Sequence, residues 1–315
     1  MNDFKDEIEA VAGGEADDSL LRLLLVSGSA ERFLLRAANR VRLLGKGAYV
    51  KRRALIEITN DCLNNCLYCG IRAANRELPR YCLDKERILD AAAVAYGRGL
   101  RTFVLQGGEN PALTDSFVTE TVAELKRRFP DAAVTLSLGE RPTEVYRLWR
   151  EAGADRYLLR HETINADHYR QLHPRDMSRQ NRLRCLDDLK SLGYRTGTGF
   201  LVGSPFQTVE NIIEDLRFIS GFRPGMIGIG PFIPADNTPF ASYPPGSARL
   251  TLRCIALLRL MNPDADIPAT TALGSLGGEK LRMKALLGGA NVIMPNFTPL
   301  QEFRLYTLYN NKSRL

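Results

Sequence analysis

Short β-branched or apolar runs alternate along this chain with amphipathic helical segments, and that alternation restricts the possible folds more than any other feature. The runs lie at residues 54–59, 102–106, 133–138, 156–160, 196–202, 226–232, 267–271 and 291–294. Between them, helical spacing of apolar residues covers 84–96, 115–129, 143–151, 178–192, 209–220, 247–260 and 279–287. Several of these segments open on an Asp, Ser or Thr suited to an N-cap. Parallel strands must be joined by crossovers, and a helix between each pair of strands supplies them. Eight such strands predict an α/β fold, a (β/α)8 barrel of the TIM type. Residues 1–50 carry no strand pattern. Leu20, Leu21, Leu23, Leu24 and Leu25, then Phe33, Leu34 and Leu35, give them apolar helical faces. They are expected to form an N-terminal helical extension packed on a barrel of residues 51–315.

Composition narrows the class. At 315 residues and 44% hydrophobic content the chain can bury a large core, and no Pro-, Gly- or Ser-rich linker divides it. The net charge of +7 comes mostly from arginines scattered along the sequence, without the density of a nucleic-acid tract. Residues 1–7 are acidic and lead into no apolar run, and no later stretch reaches eighteen uninterrupted apolar residues. The expectation is a cytoplasmic protein with neither nucleic acid nor membrane as partner. Six cysteines are too few for a disulfide scaffold at this size, and three fall within eight positions, as metal ligands do. Cys82, Cys185 and Cys254 stand alone and are expected to be structural.

In such barrels, chemistry collects where strands end. The cysteine loop follows the first run, Gln106-Gly107-Gly108-Glu109 ends the second, Ser137-Leu138-Gly139-Glu140 the third and Arg160-His161-Glu162-Thr163 the fourth. Gly203, Pro231, Thr270-Thr271 and Met294-Pro295 follow at the fifth to the eighth.

Cys62-Leu63-Asn64-Asn65-Cys66-Leu67-Tyr68-Cys69 is a CxxxCxxC loop with an aromatic residue before its third cysteine. A 4Fe-4S cluster takes four thiolates, so a loop offering three leaves one iron open to an outside ligand. S-adenosylmethionine (SAM) can chelate such an iron through its amino and carboxylate groups. A closed zinc site would need a fourth ligand at regular spacing, and His161, His168 and His173 form no such pair. The glycines of Gln106-Gly107-Gly108-Glu109 allow a ligand close to the backbone. Glu162 can accept hydrogen bonds from SAM's ribose or amino group, and Arg182 can fork onto its carboxylate; a surface ion pair is the plainer account of both. Thr270, Thr271 and Met294 are candidates for a cavity wall, beside the alternative of ordinary strand and core packing.

These residues are similar to those of the HydE family of FeFe-hydrogenase maturases, in the biotin-synthase-like branch of radical SAM enzymes. The likeness runs from about Arg53 to Tyr309. It is carried by Leu67-Tyr68-Cys69-Gly70 and by residues 134–140, 152–163, 228–234, 267–272 and 289–296. The resemblance implies one 4Fe-4S cluster on Cys62, Cys66 and Cys69. It implies reductive cleavage of SAM to a 5′-deoxyadenosyl radical, which attacks the sulfur of a cysteine-bound iron carbonyl cyanide precursor. The partners implied are a tyrosine-cleaving radical SAM maturase and a GTP-binding scaffold. Carried over by position, Gln106, Gly107, Gly108, Glu109, Glu162, Arg182 and Tyr306 hold SAM. Arg53, Thr135, Ser137, Arg160, Thr270, Thr271, Met294 and Tyr309 line a deeper substrate cavity whose positive side chains suit an anionic complex. The chain has no cysteine after Cys254, so no accessory cluster is expected, and Asn110 stands where relatives tend to have an acid. The rival readings are a 3-methylornithine-synthase-like mutase, a non-catalytic iron-sulfur carrier or scaffold, and a tRNA-modifying enzyme, for which no RNA-binding domain is evident.

Overall fold

A computed structural model describes residues 4–313. Residues 1–3, where the acidic opening begins, and residues 314–315 lie outside them, as do the outer limits of the two expected segments. Helices α1 (Lys5–Gly13), α2 (Asp18–Val26) and α3 (Glu31–Lys46) come first, then strands β1 (Lys51–Arg52) and β2 (Ala54–Thr59). Next are α4 (Lys85–Gly97), β3 (Thr102–Gly107), α5 (Asp115–Arg128), β4 (Ala133–Ser137), α6 (Thr143–Glu151) and β5 (Ala154–Leu158). After α7 (Ala166–Leu172) and α8 (Arg179–Ser191) the chain forms β6 (Arg195–Thr198), β7 (Leu201–Val202) and α9 (Val209–Phe222). The last elements are β8 (Met226–Ile227), β9 (Gly230–Pro231), α10 (Ala248–Met261), α11 (Thr271–Leu286), β10 (Val292–Ile293) and α12 (Leu300–Leu305).

Strands β2-β3-β4-β5-β6-β8 pair in parallel in that order. The ring closes through short contacts: Met226 bridges to Asp266, Pro268 to Val292, Lys51 pairs with Val292, and Leu55 bridges to Asn296. This is the expected closed α/β barrel, with three corrections. Residues 267–271 form no regular strand: Pro268 has no N–H to give a ladder, and Thr271 is already the first residue of α11. Residues 271–276 instead form an unexpected first half of α11; the backbone breaks at Gly277 and Gly278, and the second half starts at the expected 279. The runs at 196–202 and 226–232 each break into two short strands.

Alternation sorts the side chains. On β2, Ala54, Ile56 and Ile58 pack outward against the helices, while Leu55 and Glu57 face the barrel interior. The register sets interior residues in rows: Leu55 lies beside Val104, and Val104 beside Thr135. One step up, Glu57 lies beside Gln106 and Gln106 beside Ser137. Because Thr135, Ser137, Gly228 and Gly230 are small, the interior is incompletely filled and keeps a cavity of about 350 Å³.

The N-terminal helices share a hydrophobic core with α9 and α10, into which Leu21, Leu24, Leu25, Leu34 and Ala38 are fully buried. Asp84, Thr114, Ser178 and Ser247 cap α4, α5, α8 and α10, each accepting a backbone N–H. Among the described residues, no helix is long and apolar enough to cross a membrane.

Candidate active site

The cysteine loop leaves the top of β2 and is fixed mainly through its backbone. Arg80 donates to the carbonyls of Asn60 (2.6 Å), Ile71 (2.7 Å), Arg72 (2.7 Å) and Asn75 (2.9 Å), tying the loop's two ends together. Leu63 N–H donates to the Glu109 carbonyl (2.8 Å) and Leu67 N–H to that of Leu172 (2.9 Å). A Cβ on Gly108 would lie 2.2 Å from Asp61 O and 2.6 Å from Cys62 Cβ, so only glycine lets the second strand end pass this close. Cys62, Cys66 and Cys69 are free thiols, partly buried at the cavity mouth. Burial pushes all three up, Cys69 to about 12. Thiolates here need a strong cationic partner such as iron. Among the described residues no group of three His, Cys, Asp or Glu side chains is gathered to hold a single metal ion. Of the isolated cysteines, Cys185 and Cys254 are buried as expected, but Cys82 is exposed.

Around the mouth, Gln106 Nε2 donates to Tyr306 Oη (3.2 Å). Glu109 accepts from the Glu140 N–H (2.9 Å), and burial raises its carboxyl. Arg182 donates through Nε to Glu140 Oε1 (2.5 Å) and through Nη1 to the Arg160 carbonyl (3.1 Å). Burial pulls the Arg182 guanidinium down, but Glu140 and its neighbours outweigh that and hold it charged. Arg160 Nη2 lies 3.1 Å from Glu162 Oε2, close enough for charge attraction but not aligned as a hydrogen bond, so both atoms keep unspent bonding capacity. Of the four polar residues at 160–163, only Arg160 and Glu162 face the cavity; His161 and Thr163 are buried behind it.

Every residue expected to hold SAM or line the substrate site is on the wall of this one cavity, from the cysteines down to Arg53. Thr135 Oγ1 and Thr270 Oγ1 are buried without hydrogen-bond partners. Thr270 is the N-cap residue of α11, yet its hydroxyl makes no cap bond. The expected positive lining needs correcting, because each cation already has a carboxylate. Arg53 Nη2 is 2.5 Å from Asp266 Oδ2, Arg182 pairs with Glu140 and Arg160 with Glu162. The interior is charge-balanced, which burial at this depth favours.

Two wall residues, Glu57 and Lys312, are absent from the sequence reading. Lys312 Nζ donates to both carboxylate oxygens of Glu57 (2.8 Å each) and to the Tyr306 carbonyl (2.7 Å). A carboxylate inside the apolar run Ala54-Leu55-Ile56-Glu57-Ile58 was the available signal; Lys312 had none. Tyr68, beside Cys69, puts its hydroxyl 3.3 Å from His173 Nε2. His173 Nδ1 faces the Tyr169 carbonyl (3.0 Å), and burial pulls its pKa to about 3. The ring is therefore neutral, and Nε2 accepts from Tyr68. Asn110 Oδ1 accepts from the Ala112 N–H (2.7 Å) and its amide donates to Thr59 (3.1 Å), so it secures the turn after β3.

A closed parallel barrel with three loop thiols above a cavity set with paired charges defines the radical SAM class, and residues 56–219 match the family described as Radical SAM superfamily. The FeFe-hydrogenase maturase subunit HydE of Thermotoga maritima is 47% identical over 281 residues, 89% of this chain and 79% of that one. The chain belongs to the HydE family of radical SAM enzymes. The 3-methylornithine synthase of Methanosarcina acetivorans is 30% identical over 288 residues, 90% of this chain and 80% of that one. A crystal structure of methylornithine synthase superposes with a TM-score of 0.83 at 28% identity, covering 91% of this chain and 85% of its own. The hydrogenase maturase HydG shares the fold, with a TM-score of 0.83 at 18% identity, covering 99% of this chain and 72% of its own.

The family uses a 4Fe-4S cluster and SAM, and the residues present fit both groups. The thiols are unpaired, Gly108 leaves the backbone open beside Cys62, and Glu162 Oε2 is buried without a hydrogen-bond partner at the mouth.

Proposed function

We propose that this member of a hydrogenase-maturation family binds SAM at the cavity mouth and a cysteine-bound iron carbonyl cyanide complex in the deeper part. The observation that carries the reading is the single continuous wall, with the cysteine loop at one end and the orphaned hydroxyls of Thr135 and Thr270 further in. Cys62, Cys66 and Cys69 would hold the cluster. Gln106, Glu109, Glu162, Arg182 and Tyr306 would hold SAM, with Gly107 and Gly108 giving it room against the backbone. When bound, the cluster supplies the electron that splits SAM into methionine and a 5′-deoxyadenosyl radical, whose target in the proposed substrate is the cysteine sulfur.

The chain's own part is positioning and exclusion. Glu162 and Arg160 offer unspent donors and acceptors between mouth and interior. Ser137, Thr135 and Thr270 offer neutral hydroxyls to carbonyl or cyanide groups. Thr271, Met294 and Tyr309 close the remaining wall, and Arg53 with Asp266 closes the floor. An enclosed cavity strengthens each of these contacts and keeps water from a radical. The proposed setting is the cytoplasm, beside a tyrosine-cleaving radical SAM enzyme and a GTP-binding scaffold.

The deciding experiment incubates anaerobically reconstituted protein with SAM, dithionite and the iron complex, with free lysine in a parallel arm. An adenosylated product or 5′-deoxyadenosine that depends on the complex is expected. Turnover with lysine and none with the complex would replace this reading with a mutase, and cluster binding without SAM cleavage would replace it with a carrier.

A further inference from the structure

Glu162 has φ 64°, a left-handed backbone that residues bearing a Cβ rarely adopt. Such a conformation persists only where its surroundings over-determine it. Here they do. Glu162 N–H donates to the Gly199 carbonyl (3.1 Å) and Thr163 N–H to that of His161 (2.8 Å). On one side of Glu162, the His161 N–H donates to Thr198 Oγ1 (3.2 Å); on the other, the Ile164 N–H donates to Asp215 Oδ1 (2.6 Å).

The His161 ring joins these two anchors. Its Nδ1 is 2.9 Å from Thr198 Oγ1 and its Nε2 is 3.2 Å from Asp215 Oδ1. Thr198 Oγ1 already accepts a backbone proton, so its own proton can go to Nδ1. That leaves the ring proton on Nε2, facing the carboxylate. Both side chains are 0% exposed, and neither is on the cavity wall. Phe200 and Phe218 hold the ring, with centroids at 6.1 and 4.8 Å. Asp215 Oδ2 is buried with no hydrogen-bond partner. A carboxylate left half-satisfied in a core weakens that core, so stability alone does not account for this arrangement.

We propose that Thr198, His161 and Asp215, with the His161 ring linking the other two, are positioning residues for SAM binding: they fix residues 161–164 so that the Glu162 carboxylate points into the cavity beside Arg160. The proposal rests on the reading of Glu162 as a SAM-binding residue.

The test measures SAM affinity of the cluster-reconstituted enzyme by equilibrium dialysis, alongside the change SAM causes in the EPR signal of the reduced cluster. Glu162→Ala and Asp215→Leu are each expected to weaken SAM about tenfold or more, the scale of a lost charge-assisted contact. Asp215→Asn keeps the Oδ1 acceptor and is expected to stay within about threefold of wild type. The double variant Glu162→Ala/Asp215→Leu should bind no more weakly than Glu162→Ala alone, because the second change acts through a side chain already removed. Thr198→Val, which removes an anchor without touching a charge, tests the same coupling should Asp215→Leu fold poorly. Losses that multiply in the double variant, or an Asp215→Leu enzyme with wild-type affinity while Glu162→Ala is weakened, overturn the proposal. If Glu162→Ala itself binds SAM normally, the reading of Glu162 is what falls.

Discussion

At the scale of single residues, Gly108 sets how closely the end of β3 approaches the cysteine loop. Cys62, Cys66 and Cys69 stand out because their spacing suits three thiols reaching three irons from one short loop. The residues that hold that loop do not, since Arg80 works on backbone carbonyls and any arginine in the sequence looks alike. Gly108 lies between these cases: its motif is visible in the sequence, but its role as a spacer against Asp61 and Cys62 depends on how closely two strand ends approach in the fold. The atoms a Cβ would meet there are mainly backbone and cannot swing aside. Gly108→Ala is therefore expected to reconstitute with a clear deficit of iron and sulfide per chain while the barrel still folds. Iron assay, cluster absorbance and far-UV circular dichroism together check this, and full loading would remove Gly108 from the account.

At the scale of elements, helices were read well where a cap marks their start. Asp84, Ser178 and Ser247 place α4, α8 and α10 closely because N-capping is local chemistry written in a few adjacent residues. Residues 267–271 were misread because strand identity depends on neighbours: β-branched residues there suggested a ladder, while Pro268 and the turn into α11 prevented one. Helix α9 offers a separate test. Its start is a capping box in which Thr208 Oγ1 accepts from the Asn211 N–H (3.2 Å) and Asn211 Oδ1 accepts from the Thr208 N–H (3.0 Å). Thr208→Ala should lower unfolding free energy by about 1 kcal/mol in urea titrations. Asp215 lies two turns further on, so SAM affinity should hold, and a drop in affinity would show that the helix start also governs the site.

At the scale of the molecule, the barrel's closure and its balance of charge belong together. Alternation predicted the ring, but pairing of charges across it could not be read from one dimension. Asp266 shows this best, since Arg53, Lys51 and Arg195 reach it from distant strands. Burial pushes its carboxyl up, but Arg53 and the other partners outweigh that and hold it well below the usual range. A depressed carboxyl contributes fully above its unfolded value near 4 and loses that contribution as pH falls through the folded value. Asp266→Asn should cost about 3–5 kcal/mol at pH 7, because Arg53 is left buried without its counter-charge. It should also flatten the loss of stability that wild type shows below about pH 5. Urea titrations at pH 7 and at pH 3.5 measure both effects, and an unchanged acid limb would rule out Asp266 as its source.

The Glu57–Lys312 pair spans 255 positions of sequence. During synthesis the cysteine loop is made long before Lys312 emerges, so for most of that time the loop has one wall missing beside it. The segment that lays Leu308 and Lys312 against this end of the cavity is thus made well after the cysteine loop it covers.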